Sequence, residues 1–157
     1  MKQKKQYLIK DYMSDHGGVI IQESADFHQA VNLMIKKKTN GLVVVDEKNK
    51  VTGILSSWDL IRQVVPNYLE GEENLSSFED ADIFSQRINE VKNLPIKKFM
   101  TKNVHAVHPE GTLMEASTLL AKHGIRQLPV TDQNGTLVGY LNRTDIKRAI
   151  GDILNLN

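Results

Sequence analysis

The stretch Gly53-Ile54-Leu55-Ser56-Ser57-Trp58-Asp59-Leu60-Ile61-Arg62 gathers two hydroxyls, a carboxylate and a guanidinium at spacings that suit hydrogen-bond chemistry. It recurs near the other end as Gly139-Tyr140-Leu141-Asn142-Arg143-Thr144-Asp145-Ile146-Lys147-Arg148, with glycine, leucine, aspartate and arginine in register. Val51 to Leu55 is β-branched and apolar enough for a strand, and Ser56 reads as the N-cap of a helix that begins at Ser57. Asp59 then falls at N3. From there its carboxylate reaches back to the N-cap amide while its charge complements the positive end of the helix dipole. Strand, turn and capped helix therefore account for Ser56 and Asp59 without a ligand. A second reading stays open, because a helix N-terminus with amides, hydroxyls and an acid can hold a phosphate and a sugar diol together. The motif alone does not choose.

The elements that must position these groups are duplicated. Ile9 to Met13 reads IKDYM and Ile96 to Met100 reads IKKFM, an offset of 87. Past the loops that follow, the offset becomes 86, so one residue is inserted between Ser14 and Gly18. Identical pairs then include Ala30 with Ala116, Leu33 with Leu119, Lys36 with Lys122, Leu42 with Leu128, Val44 with Val130 and Asp46 with Asp132. Two copies of one unit are implied. Each copy opens on a short strand, Val19 to Ile21 or His105 to Val107. Helices follow, with capping boxes expected at Asp26 with Gln29 and at Thr112 with Glu115, and Lys36 to Lys38 closing the first at its negative end. Leu42 to Val45 and Leu128 to Thr131 are apolar runs of strand length, each joined through a polar turn to the next strand as a hairpin. The second helix of each copy runs from Ser57 to about Val65, before Pro66, and from Arg143 to about Leu154.

The predicted fold is α/β: two pseudo-symmetric βαββα repeats packed sheet to sheet with helices outside, plus a helical linker. The expected division is 1–65 for the first repeat with its leading segment, 66–95 for the linker and 96–157 for the second repeat. The linker reads as an acidic loop (Glu70, Glu72, Glu73, Glu79, Asp80, Asp82) and then a helix with Ile83, Phe84, Ile88 and Val91 on one side.

Composition bounds the function classes. With 157 residues and 40% apolar content the chain can bury a real core. Twenty basic residues against 19 acidic ones give no electrostatic footprint for nucleic acid or an anionic membrane. Without cysteine there are no disulfides, thiolate metal sites or cysteine nucleophile, which suits a reducing compartment. The basic start, Met1 to Gln6, leads into no long apolar run, so neither signal peptide nor membrane span is expected and the cytoplasm is the default location.

The duplicated order, the leading segments that end in Met13 and Met100, the Leu128-Pro129-Val130 strand and the Gly-x-x-Ser-x-x-Asp run that ends at Asp59 resemble a tandem pair of cystathionine β-synthase-type (CBS) domains, a Bateman module. The resemblance covers nearly the whole chain. Two positions depart from it: Asn142 stands where serine or threonine is usual, and Val43 stands where the other copy has Pro129. Such modules bind adenine nucleotides or related adenosyl ligands in clefts between the repeats and report occupancy to an attached or partner protein. The resemblance implies that Asp59 and Asp145 hold ribose hydroxyls, a role that suits a carboxylate able to accept from both hydroxyls of a cis-diol. Ser56, Ser57, Asn142, Arg143 and Thr144 would lie near phosphate, with His123 and Arg126 adding positive charge in the second copy. Gly18 with Val19, and Val104 with His105, match the backbone segments that hold adenine, with Leu42 and Val43 or Leu128 and Pro129 packing on the ring.

This implies a regulatory, energy-sensing module for AMP, ADP or ATP, with no required cofactor, an expected homodimer and a separate regulated protein reached through the acidic linker. S-adenosylmethionine or a cyclic dinucleotide is an alternative ligand, and a dimerisation or interaction module without nucleotide is an alternative function. An enzyme is the third class. No nucleophile elbow, Walker A loop or zinc-protease signature occurs, and duplicated half-sites without a general base suit binding better than turnover. His105 and His108 alternate on a strand-like segment with no third ligand nearby, so a metal is not expected. Trp58 reads as packing at a subunit contact.

Overall fold

The computed structural model describes residues 5–15, 18–79 and 81–156. His16 and Gly17 of the insertion, Asp80 of the acidic stretch, residues 1–4 and Asn157 lie outside the described residues. The elements run β1 (Ile20–Gln22), α1 (Phe27–Lys37), β2 (Gly41–Val45), β3 (Val51–Ser56), α2 (Ser57–Val64), α3 (Glu73–Ser76), α4 (Ile83–Val91), α5 (Leu113–His123), β4 (Gln127–Thr131), β5 (Leu137–Asn142) and α6 (Arg143–Ile153). The architecture is mixed α/β. β1, β2 and β3 form one sheet in that order, and β4 pairs antiparallel with β5.

The second copy is shorter of strand than its sequence promises. His105 to Val107 reduces to a single parallel bridge between Val107 and Val130, tied by the Val107 amide to the Pro129 carbonyl and the Thr131 amide to the Val107 carbonyl. His105 stacks on His123 instead, and in the turn that follows the His108 Nδ1 lies 2.9 Å from the Thr131 carbonyl. The two hairpin turns are built alike. Asp46 Oδ1 accepts from the Lys48 and Lys50 amides, and Asp132 Oδ1 from the Asn134 and Thr136 amides. The left-handed residue that closes each turn is Asn49 in one and Gly135 in the other, the two residue types that tolerate positive φ best.

Two compact units result, and they are not the two sequence repeats. One comprises Met1–Gly18, Val45–Val51 and Asn103–Asn157, the other Val19–Val44 and Thr52–Lys102. The leading segment of each repeat is lent to the unit built around the other. In the first unit the Ile9 amide bonds the Gly111 carbonyl, and Ser14 exchanges backbone bonds of 2.9 and 3.1 Å with Tyr140. In the second, Ile96 bonds Ala25 and Thr101 exchanges two 2.9 Å bonds with Ile54 in the same pattern. Ile9 and Ile96 are both fully buried as a consequence. Each unit closes its own core: Val107, Ala116, Leu128, Val130 and Leu141 with Ile9 in one, Ala30, Leu42, Val44, Leu55 and Leu60 with Ile96 in the other.

The segment after Pro66 is more ordered than a loop. A 3-10 turn at Asn67–Leu69 and the short helix α3 precede α4, whose Val91 is buried in the second unit's core. α4 docks on α2. Arg87 Nε and Nη2 donate to the Val64 and Gln63 carbonyls at 3.1 and 2.8 Å, which satisfies acceptors that the C-terminus of α2 leaves open.

Candidate functional site

Three of the four expected capping boxes form in full. Asp26 with Gln29, Ser56 with Asp59 and Asn142 with Asp145 each exchange both bonds. Thr112 accepts from the Glu115 amide, but Glu115 does not return the bond. At the two duplicated motifs the cap therefore fixes the aspartate, and the details differ between copies.

In the second unit Asp59 is buried at 8% exposure. Its Oδ2 accepts from the Ser56 amide at 2.8 Å and the Ser56 hydroxyl at 3.1 Å, and its Oδ1 accepts from Arg62 at 3.2 Å. Three of about four lone-pair directions are used. In the first unit Asp145 is half-buried, and among the described residues its Oδ2 accepts only from the Asn142 amide, at 2.9 Å. Arg148 stands off at 3.6 Å from Oδ1, because the same nitrogen donates to the Tyr12 carbonyl at 2.7 Å. Asp145 thus keeps an acceptor direction on each oxygen. Asn142 uses its Oδ1 to cap the Asp145 amide, which leaves its side-chain NH2 as a donor that Ser56 lacks.

The helix ends offer less to an anion than the sequence alone indicates. The Ser57 amide is taken by the Asn40 carbonyl and the Arg143 amide by the Arg126 carbonyl, while the Asp59 and Asp145 amides are capped. Among the described residues that leaves the N2 amides, of Trp58 and Thr144, with the Ser57 and Thr144 hydroxyls. The strand residues sort by face. Leu42 and Leu128 belong to the two cores and are fully buried, and Val43 and Pro129 take the opposite face of their strands, equally buried. Gly18, at φ +71, lies under the Tyr140 ring, which stands 2.7 Å from where a Cβ would project. Burial pushes the Tyr140 phenol well above its usual range, so it stays protonated. Val19 passes its carbonyl to the Val43 amide at 2.9 Å, and Val104 and His105 are half-buried.

His105 and His123 stack, with centroids 3.9 Å apart and planes 17° from parallel. This contact between the leading strand segment and the end of α5 was not legible in the sequence, where the two histidines are 18 apart. Removal of water first, then the nearby His105 and Lys122, hold His123 below the ordinary imidazole range. At neutral pH it therefore brings no positive charge of its own, and the exposed Arg126 is left as the cation the sequence placed there. The unfolded chain protonates His123 near pH 6.5 and the folded chain only lower. Its contribution is thus complete above that pH and is lost as pH falls through the folded value. His123→Gln should flatten the acid side of a melting-temperature profile recorded from about pH 7.5 to about pH 5.5. An unchanged profile would show that the stack has no such linkage.

No described cavity that falls within one unit is lined by Asp59 or Asp145, but one of about 350 Å³ in the second unit reaches the start of α2 through Asn40, Ser57 and Leu60. The first unit has one of about 460 Å³ between the leading segment and α6, lined by Tyr7, Asp11, Tyr12, Arg148 and Asp152. The second has a further one of about 510 Å³ among α1, α2 and the linker helices. No described helix is long and apolar enough to cross a membrane.

With the geometry set out, comparison with known proteins becomes specific. The model of the CBS domain matches residues 9–66 and 96–152. CBSX2, a chloroplastic CBS domain-containing protein of Arabidopsis thaliana, is 29% identical over 152 residues; the match covers 91% of this chain and 63% of CBSX2, so the chain spans somewhat less than two thirds of that relative. The crystal structure of CBSX2 superposes with a TM-score of 0.78 at 24% identity, covering 96% of this chain and 99% of that one. CBSX2 in complex with AMP gives 0.70 at 26% identity, covering 94% and 98%. The CBS domain pair of protein MJ0100, in complex with 5-methylthioadenosine and S-adenosyl-L-methionine, gives 0.66 at 26% identity, covering 92% and 99%.

Proposed function

The chain belongs to the CBS domain family, and on that premise we propose that it is a regulatory module that binds an adenosine-containing nucleotide of the AMP, ADP or ATP class. The observation that carries this reading is the Asp145 carboxylate, half-shielded, oriented by its cap and left with an open acceptor direction on each oxygen. That is what a ribose cis-diol needs, and a deoxy sugar would leave the acid underpaired. The Asn142 side-chain NH2, the Thr144 hydroxyl and amide and the exposed Arg126 and Arg143 guanidiniums supply donors and positive charge for phosphate. Asp59, with its acceptors mostly spent, makes the Ser56, Ser57 and Asp59 site the weaker of the two.

Family relatives support the ligand class without choosing within it, since one binds AMP and another 5-methylthioadenosine and S-adenosylmethionine. S-adenosylmethionine carries no phosphate, so Arg126→Ala separates the readings: it weakens ATP and leaves S-adenosylmethionine unmoved. Thermal melting with AMP, ADP, ATP and S-adenosylmethionine tests the proposal, because a ligand at about 100 times its Kd adds about 2.7 kcal/mol to stability. No shift with any of them would leave an interaction module without nucleotide. We also infer a homodimer, from the 60% exposed Trp58 on α2 and the exposed Ile150, Ile153 and Leu154 at the end of α6. Sedimentation of the native chain and of Trp58→Asp checks it, a monomer in both being the contrary result.

A further inference from the structure

The second unit carries a groove that the nucleotide reading does not use. Its cavity of about 510 Å³ has a floor of Phe27, Leu60, Val64 and Ile83 from α1, α2 and α4. The apolar surface does not stop at the cavity. Ile61 and Phe84 form its lips, 50% and 64% exposed, and carry the apolar lining out to solvent. A small molecule that filled the hollow would leave these side chains in water, whereas a helix laid along it would cover them.

Charge decides what kind of helix. Glu73 and Glu79 line the groove, and across residues 66–94 seven acids stand against two bases. The cation in the lining, Arg87, is spent: it caps α2 through the Gln63 and Val64 carbonyls and pairs with Glu90. The groove is thus apolar at its base and negative at its rim. We propose that it is a docking site for a basic amphipathic helix of a partner protein, one with leucine-like residues at i, i+3, i+4 and i+7 and lysine or arginine on the flanks. This surface needs no bound nucleotide and stands or falls separately from Asp145.

A labelled peptide of about 18 residues, about five helical turns, with leucines at that spacing and lysines elsewhere, serves as the probe in fluorescence anisotropy with the full chain. A second peptide keeps the leucines and replaces lysine by glutamate. The lysine peptide should bind and the glutamate peptide should not. Phe84→Asp should weaken binding by about tenfold or more, as loss of a central apolar anchor does. The double variant Glu73→Lys with Glu79→Lys, both at exposed or half-exposed positions, should weaken the lysine peptide and admit the glutamate one. Melting curves of each variant verify folding, and the charge-reversal pair keeps the test sound if Phe84→Asp unfolds. Equal binding of both peptides, or lysine-peptide binding that neither variant changes, overturns the proposal. So does a native dimer that Phe84→Asp splits into monomers while the peptide fails to bind either form, since the groove would then belong to a second copy.

Discussion

Asp145→Ala is expected to weaken nucleotide binding at the Asn142, Thr144 and Asp145 site by about 100-fold or more while the chain stays folded. The size follows from two hydrogen bonds to a charged acceptor, each worth about 1.5–3 kcal/mol when the partner is left buried and unpaired. The stability cost is smaller, about 1 kcal/mol, because only the returning half of the capping box is lost. Asn142 still caps the helix through its Oδ1. Asp59→Ala should act the other way round. Asp59 already accepts from the Ser56 amide, the Ser56 hydroxyl and Arg62, so its removal takes more from the fold and less from the ligand. Melting curves and titrations of both variants separate the two effects. Equal loss of affinity in the two would contradict the asymmetry drawn from their partners.

Gly139→Val is expected to cost stability by about 1–3 kcal/mol, and more than the equivalent Gly53→Val. Both glycines face the methionine of a leading segment. A Cβ at Gly53 would stand 2.6 Å from the Met100 sulfur, and its three nearest neighbours would all belong to that flexible side chain, which can swing aside. A Cβ at Gly139 would meet the Met13 sulfur at 2.9 Å and the Ser14 carbonyl at 3.1 Å, and that carbonyl is held by the Tyr140 amide. Backbone cannot yield without breaking the bridge that anchors the segment. Met100→Ala should therefore rescue Gly53→Val, whereas Met13→Ala should rescue Gly139→Val only in part, a difference that a double-mutant cycle in urea reads directly. Complete rescue in both would show that the carbonyl gives way as easily as the sulfur.

Local chemistry was legible because it depends on near neighbours. The strand-to-helix junctions at Ser56 and Asn142, the stop before Pro66 and the hairpin turns at Asp46 and Asp132 each follow from residues within a few positions of one another. What escaped depends on distant ones. IKDYM and IKKFM are so alike that either could dock on either repeat, and nothing nearby says that Met13 belongs against Gly139 and Met100 against Gly53. The His105 to Val107 strand was overread for a related reason: alternation signals a strand, but its length depends on a partner, and β4 engages it at Val107 alone. At the aspartates, residue type announced the cap but not the competition for lone pairs. That competition is set by Arg148 choosing the Tyr12 carbonyl over Asp145, across 136 residues of chain.

Calorimetric titration of the native chain with AMP and with 2′-deoxy-AMP is the most direct test of a ribose diol held by Asp145. Saturable AMP binding, with the deoxy compound at least about tenfold weaker, is the result that an acceptor open on both oxygens predicts. Equal affinity for the two nucleotides, or no binding of either, would contradict it.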